Sequence, residues 1–312
     1  MRPGVPDELL LVCSSYESRS VTIAECLAKD YRATKGVVYV NKEFLESGVA
    51  PAMNENLDKL KKLLAPHCDE LVVAQGSWLQ PNVQLNSLKH ELLTNGAGSK
   101  NRCITVDITT FNREALLVAI ALLRDDIRNS RIRTLYVKPQ GMGPWLSRGF
   151  RYMRNVMGFS GVQDPSRPTV LVVLSGFEPE RTNKIIEMHE PARVLLGIGD
   201  PPTDEKFRQR NLDAQKLVRA RQHTNEFVFP ANDTEACSKA LEKLVGPLIE
   251  HNNVVLAPMS TKLSTLATYL FAERHPEVQI TYCVPGEYNI SDYSHGSEQI
   301  FVGELPPKLK VG

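Results

Sequence analysis

The chain has little of several features that define whole classes of protein. Its 312 residues carry 37 Lys and Arg against 36 Asp and Glu, so the formal net charge is only +1. A balance this close to neutral gives no general attraction to nucleic acid or to a membrane, although local charged patches can still exist. No apolar run approaches the roughly 18 residues of a membrane span, so we expect no membrane association. The apolar stretch near residue 10 is also too short for a secretion signal.

The cysteines and glycines lack the spacing that marks metal, redox or nucleotide motifs. Six cysteines are scattered along the chain with no CxxC pair, and several lie in apolar runs. We therefore expect reduced core cysteines in a cytoplasmic protein, with neither a disulfide framework nor a metal site. No GxGxxG follows a strand and no GxxxxGK[ST] occurs, which excludes a dinucleotide fingerprint and a P-loop.

Short apolar runs alternate with longer helical patterns along both halves of the chain. The predicted strands are 8–14, 36–40, 70–74, 102–107 and 132–137, then 169–174, 193–197, 226–229, 254–257 and 279–284. The predicted helices lie near 19–30, 54–64, 83–94 and 112–127, then 181–189, 203–221, 233–249 and 263–274. Strands separated by helices indicate parallel sheets with crossover helices on both faces. The fold class is therefore α/β, with two tandem Rossmann-like domains, 1–160 and 169–312, joined by a linker at 161–168.

The two halves also match in detail, which predicts an internal duplication. "SSYESRS" at 14–20 recurs as "SGFEPERT" at 175–182, each directly after a first strand. "VDITTFNREALLVAIALL" at 106–123 aligns with "APMSTKLSTLATYLFAER" at 257–274 without a gap. "LYVKP" and "LSRG" of the first half correspond to "TYCVP" and "YSHG" of the second. Four matches in the same order exceed what general α/β similarity explains.

Polar residues cluster where a fourth strand gives way to a helix. In open parallel sheets, ligands bind outside the carboxyl ends of the strands. Ser260, Thr261 and Lys262 combine hydroxyl groups, a positive charge and a helix N-terminus, which suits a phosphate. The alternative is that Ser260 or Thr261 is only an N-cap, a position that favours these residue types.

A second polar cluster follows the first strand of the second half. Arg181 could pair with Glu178 or Glu180 as a structural clamp, or it could meet Lys262 on one anion. The first-half counterparts of these two clusters are Ser14, Glu17, Arg19, Thr109 and Thr110. Phe111 takes the lysine position there, so the second half is the better candidate for an anion site.

Hydroxyl and aromatic residues follow the fifth strand of each half, and such residues can stack on and read a base. The predicted ligand-binding set is Ser175, Gly176, Glu178, Arg181, Ser260, Thr261, Lys262, Tyr282, Tyr288, Tyr293 and His295. The candidates for catalysis are Glu178, Glu180 and His295, the last as a general base. The stretch with Trp145, Arg148, Arg151 and Arg154 could face a partner or a phosphate, or form a solvated face.

The strand followed by "MSTKLSTLATYL" resembles the CARF-type Rossmann-like nucleotide sensors of CRISPR-associated and related antiviral systems. In that family the fourth strand is followed by a Gly-Thr-Lys loop, here Met259-Ser260-Thr261-Lys262, and a helix of small and apolar residues. The "SGF" loop at 175–177 falls where the family has a short polar loop. Two such folds pair to bind a cyclic oligonucleotide, so the resemblance implies a pseudo-dimer within one chain.

Three functions follow from these patterns. The first is a nucleotide- or phosphate-binding module of a bacterial defence or signalling system, with its output activity in a partner protein. The second is an enzyme that hydrolyses or transfers a nucleotide or sugar phosphate at a glycosidic bond, with Glu178 or Glu180 as acid/base or nucleophile. The third is a non-catalytic scaffold subunit of a larger complex.

Overall fold

The computed structural model describes residues 6–93, 103–126, 131–200, 205–297 and 299–308. It is a mixed α/β protein with two six-stranded, mostly parallel sheets flanked by helices, which confirms the predicted fold class. The strand that comes first in sequence lies in the middle of each sheet, with a neighbouring strand on either side. Because both faces of such strands are covered by helices, their apolar residues run consecutively, at 9–13 and 170–174, and do not alternate.

The first half supplies strands β1 to β6 and helices α1 to α5. The strands are β1 Asp7–Cys13, β2 Ala33–Asn41, β3 Cys68–Gly76, β4 Cys103–Asp107, β5 Arg131–Lys138 and β6 Gly141–Met142. The helices are α1 Thr22–Glu25, α2 Lys42–Leu45, α3 Ala50–Leu64, α4 Pro81–Leu93 and α5 Arg113–Asp126. Positions 94, 102 and 127, at the ends of predicted elements, lie outside the described residues.

The rest of the chain supplies strands β7 to β16 and helices α6 to α10. The strands are β7 Ser147–Arg148, β8 Tyr152–Asn155, β9 Thr169–Leu174, β10 Arg193–Asp200, β11 Thr224–Pro230, β12 Asn253–Pro258, β13 Gln279–Val284, β14 Glu287–Tyr288, β15 Ser294–His295 and β16 Gln299–Glu304. The helices are α6 Pro179–His189, α7 Glu205–Ala214, α8 Lys216–Arg219, α9 Thr234–Val245 and α10 Lys262–Arg274.

Both sheets have the same strand order. The first runs β3-β2-β1-β4-β5-β16 and the second β11-β10-β9-β12-β13-β8. The first five strands of each are parallel, and the sixth pairs antiparallel at the edge. In each sheet the order reverses beside the central first strand, between β1 and β4 and between β9 and β12. This reversal is the topological switch point of Rossmann-like sheets.

The compact units do not follow the predicted boundaries at residues 160 and 169. The first unit contains Met1–Gly143 and Ile290–Gly312, and the second contains Pro144–Asn289. The tail that follows β5 contributes β7 and β8 to the second unit, and the tail that follows β13 contributes β15 and β16 to the first. The predicted linker belongs to the second unit, where Val162 N donates to Glu277 O at 2.9 Å. The observed boundaries differ from the predicted ones because these strands pair with partners far away in sequence. Local composition, on which the predicted linker was based, does not indicate such pairing.

Two helices differ from their sequence patterns for identifiable reasons. The helix predicted at 203–221 is two helices, α7 and α8, and its first two positions lie outside the described residues. The region near 19–30 forms only a 3₁₀ turn at Ser18–Val21 followed by the single turn α1. Helix α10 is buried on every side from Leu263 to Ala272, which explains why its apolar residues follow no amphipathic stripe.

Candidate functional site

The loops after β9 and β12 meet at the switch point of the second sheet. A Cβ atom at Gly176 would lie 2.4 Å from the carbonyl oxygen of Met259, so a larger residue could not fit without moving the backbone. The hydroxyl of Thr182 on α6 lies 3.7 Å from the sulfur of the same Met259. The two predicted polar clusters are therefore brought together at this edge of the sheet.

Thr261 is the N-cap of α10, as the structural alternative predicted. Its Oγ1 accepts from Ser264 N at 3.1 Å and donates to Ala231 O at 2.6 Å. Ser260 and Lys262, on either side, are half-buried. Lys262 is the first residue of a helix 13 residues long. The N-terminal end of that helix, with its partial positive charge, therefore lies at the carboxyl edge of the sheet.

The end of β10 packs closely beside Ser260 and Ala231. A Cβ atom at Gly199 would lie 3.8 Å from Ser260 Oγ and 2.9 Å from Ala231 Cβ. Glycine at position 199 therefore allows the end of β10 to lie against Ala231, where a side chain would collide. The residue after β11 reaches the same place, since Ala231 N donates to Asp200 O at 3.3 Å.

Ser175 serves the scaffold of this edge. It is fully buried, and its Oγ lies 2.7 Å from Gly197 O and 3.0 Å from Asn211 Oδ1, sharing its one proton between these two acceptors. Gln215 Nε2 donates to Gly176 O at 2.8 Å from the same helical segment. Asn211 and Gln215 lie in the helix predicted at 203–221 but were not predicted as part of the site. Their spacing with Val218, at i, i+4 and i+7 among charged residues, is the signal that would have found this buried face.

Glu178 and Arg181 form the predicted intradomain clamp, together with Ser147. Arg181 Nη1 lies 3.1 Å from Glu178 Oε2 and 3.2 Å from Ser147 Oγ, and Nη2 donates to Cys283 O at 2.6 Å. Ser147 Oγ also donates to the other carboxylate oxygen, Glu178 Oε1. The side chains of Arg181 and Glu178 are only 4% and 8% exposed. Both oxygens of Glu178 are thus engaged inside the protein, which disfavours it as an acid/base.

The first unit contains the equivalent clamp. Arg19 Nη2 lies 2.5 Å from Glu17 Oε2, Nη1 donates to Val137 O at 2.7 Å, and Nε donates to Ser294 Oγ at 3.0 Å. Burial lowers the pKa of Arg19, but the charge of Glu17 more than compensates and raises that pKa above its ordinary value. The pKa of Arg181 is raised in the same way by Glu178. In both clamps the serine belongs to the tail that follows the other half's sheet.

The switch point of the first unit differs at the lysine position. Phe111 is completely buried and stacks on Tyr39 with ring centroids 5.3 Å apart. Thr109 Oγ1 donates to Asp107 Oδ1 and accepts from Val137 N, and Thr110 Oγ1 donates to Cys13 O. These threonines and Phe111 therefore serve the packing of the first unit.

The remaining members of the predicted set divide between the units. Tyr282 is buried on β13, and Tyr288 is half-buried opposite Ser147 in the β14–β7 pair. Tyr293 and His295 belong to the first unit. There Tyr293 packs 6.2 Å from Tyr16, while His295 is 65% exposed and lies 3.4 Å from Asp292. Neither residue joins Lys262 within the second unit.

A cavity of about 170 Å³ opens beside the clamp of the second unit. It is lined by Trp145, Ser147, Arg148, Gly149, Phe177, Glu178, Pro179, Glu180 and Arg181. A wider, more open cavity of about 560 Å³ shares Phe177 with it and includes Arg210. Glu180, the second catalytic candidate, is exposed at the mouth, where its Oε2 accepts from Gly149 N at 3.0 Å.

Comparison with known proteins identifies no family, since neither a family model nor a curated protein matches the chain. The solved structure titled "AtPrR2 with NADP+ and (+)pinoresinol" is 12% identical with a TM-score of 0.27, over 88% of this chain and 89% of that one. The structure titled "AtPrR2 in apo form" is 13% identical with a TM-score of 0.26, over 85% and 99%. Similarity at this level assigns neither a family nor a ligand.

The described part of the chain contains neither a membrane-spanning helix nor a cluster of metal-binding side chains. No helix there combines the length and apolar character that crossing a membrane requires. Within the same residues, no group of three or more His, Cys, Asp and Glu side chains is placed to hold a metal ion.

Proposed function

We propose that the second unit binds a phosphate-bearing ligand, a nucleotide, at the carboxyl edge of its sheet. One observation carries this proposal: half-buried Lys262 begins α10 at the switch point, whereas its counterpart Phe111 is completely buried. Phe111 contributes buried apolar surface to the first unit, and a half-buried lysine at the same place in the second unit contributes less. Binding of an anion by Lys262 would explain why the second unit has a lysine there.

The surroundings of Lys262 suit a phosphate. The N-terminus of a helix carries roughly half a positive charge, and its first N–H groups point toward the approaching anion. The hydroxyl of Thr261 caps the N–H of Ser264, the third helical residue, and so fixes the direction of the first turn. Ser260 adds a hydroxyl beside the end of β10. Lys262 adds a full charge.

The wider biological role proposed here is in a bacterial defence or signalling system. The "MSTKLSTLATYL" stretch, which resembles CARF-type sensors, forms the loop that follows β12 and most of helix α10 at the switch point. The shared strand order of the two sheets supports an internal duplication, as that family's paired architecture implies. A partner protein would then carry the output activity.

The test is a thermal-shift and calorimetric screen of the full chain. Mono-, di-, cyclic and oligonucleotides, NAD and sugar phosphates form the panel, since a bound ligand raises the unfolding temperature. Lys262→Ala is expected to weaken binding of the active compound about tenfold or more, because a hydrogen bond to a charged group is lost. Lys239→Ala, at a 75% exposed lysine on α9, is the matched control and should bind like the unmodified chain. Equal affinities for the two variants would refute the proposal.

A further inference from the structure

The cavity beside the second clamp contains buried charge that the clamp does not fully use. Ser147, Glu178 and Arg181 line it, and each of the three residues is more than nine-tenths buried. Within the described residues, Arg181 Nε has no hydrogen-bond partner. In the first unit the equivalent atom, Arg19 Nε, donates to Ser294 Oγ at 3.0 Å. A buried donor without a partner costs free energy, so a ligand acceptor at this point would be stabilising.

The walls of this cavity are aromatic and held in place. Trp145 and Phe177 are half-buried and both line it. The guanidinium of Arg148 lies 4.2 Å from the Trp145 ring centroid, and that of Arg210 lies 4.4 Å from the Phe177 centroid. Arg210 is itself tied to Pro144 O at 2.9 Å. The rings are therefore oriented before any ligand arrives, which reduces the entropic cost of binding a flat molecule.

The charges of the cavity favour a neutral, hydrogen-bonding ligand. Arg148 and Arg181 balance Glu178 and Glu180, so an isolated phosphate finds no excess of positive charge there. The carboxylate of Glu180 is held at the mouth by Gly149 N, leaving acceptor capacity for N–H groups. Arg181 Nε can donate a hydrogen bond and the Glu180 carboxylate can accept them. These two residues therefore suit a heterocycle that has an acceptor next to N–H donors.

We infer that this cavity takes a guanine-type base, with ring N–H and amino groups donating to Glu180, its carbonyl accepting from Arg181 Nε, and its ring against Trp145. A volume of about 170 Å³ accommodates one purine ring system and no more. The inference deepens the proposed function, on which it rests for the attached phosphate. Gly176 connects the two, because the loop that lines the cavity contacts Met259, the residue before Ser260.

Nucleosides test the base pocket apart from the phosphate site. Calorimetry of the full chain with guanosine, inosine and adenosine should show binding of guanosine. Inosine, which lacks the amino group, should bind about tenfold more weakly, because one hydrogen bond to a carboxylate is missing. Adenosine reverses the donor and acceptor at the reading edge and should bind more weakly still. Equal affinities for guanosine and adenosine, or no binding of guanosine at millimolar concentration, would overturn the inference.

Two glutamates on α6 provide a matched pair of variants. Glu180→Gln replaces one acceptor with a donor and should weaken guanosine binding about tenfold. Glu187→Gln, at a 53% exposed glutamate on the same helix, should leave it unchanged. If the two variants bind guanosine alike, the assignment of Glu180 is wrong.

Guanosine monophosphate separates the two proposals. Lys262→Ala should weaken its binding without changing that of guanosine, whereas Glu180→Gln should weaken both. A phosphate compound that depends on Lys262 but not on Glu180 would leave the phosphate site standing and refute the base pocket. If guanosine binding depends on Glu180 but Lys262→Ala does not change binding of the monophosphate, the base pocket is supported and the phosphate site is refuted.

Discussion

Replacing Arg181 with methionine is expected to destabilise the second unit by about 3–5 kcal/mol, the cost of breaking a buried ion pair by removing one partner. The side chain of Glu178 is only 8% exposed, so its carboxylate cannot recover solvation when the guanidinium is gone. Cys283 O would lose its donor from Arg181 at the same time. The methionine fills most of the volume of the arginine stem, so lost charge compensation dominates over lost packing.

A double variant tests this reasoning directly. Arg181→Met combined with Glu178→Gln removes the uncompensated charge, while Ser147 can still donate to the side-chain oxygen at position 178. The double variant should therefore recover a substantial part of the stability lost by Arg181→Met alone. The exposed pair Lys184 and Glu187 on α6 serves as the control, and Lys184→Met should cost no more than about 1 kcal/mol.

The chain contains a natural reporter for each unit. It has 2 tryptophans, Trp78 in the first unit and Trp145 in the second. In a Trp78→Phe background, urea unfolding followed by fluorescence reports on the second unit alone. A loss below about 1 kcal/mol for Arg181→Met, or a double variant no more stable than the single one, would refute the clamp as a buried ion pair.

Two further predictions concern Asp107 and Gly176. Burial raises the pKa of Asp107 to about 6, so the folded form keeps a proton that the unfolded chain has lost. Stability should therefore fall by about 3 kcal/mol as pH rises from 4 to 6, and Asp107→Asn, which retains an acceptor for Thr109, should remove that dependence in unfolding curves. Gly176→Ala places a methyl group 2.4 Å from Met259 O and should cost about 1–3 kcal/mol, whereas Gly48→Ala, with no atom within 4 Å, should cost little. A flat pH profile, or equal unfolding midpoints for the two alanine variants, would contradict these expectations.

Local patterns predicted the fold class because the elements of each sheet are consecutive in sequence. Runs such as 170–174 and 254–257 are apolar throughout, and each is followed by a helical pattern that buries it. The unit boundaries could not be predicted in the same way. They depend on β8 pairing with β13 and β16 pairing with β5, and an edge pairing of this kind leaves no periodic signal in sequence.

The candidate site was predicted in part. The repeat of Ser, Glu and Arg after each first strand located both clamps, and the "LSRG" and "YSHG" match contained the serine of each. Sequence could not join them, since Ser147 lies 31 residues from Glu178 and Ser294 lies 277 residues from Glu17. Sequence also could not decide whether Arg181 pairs with a glutamate of the same domain or binds an anion, because the answer depends on how deeply Arg181 is buried.

The comparison of the two units separates structural from functional positions. The clamp occurs in both units, with an arginine that also donates to a carbonyl of the fifth strand, Val137 O or Cys283 O. Ligand binding cannot be the reason for an arrangement shared with a unit whose switch point is filled by Phe111. The reason common to both is that each clamp binds, through Ser147 or Ser294, the tail that follows the other half's sheet. Function should therefore be sought where the units differ, at Lys262 and at the unpartnered Nε of Arg181.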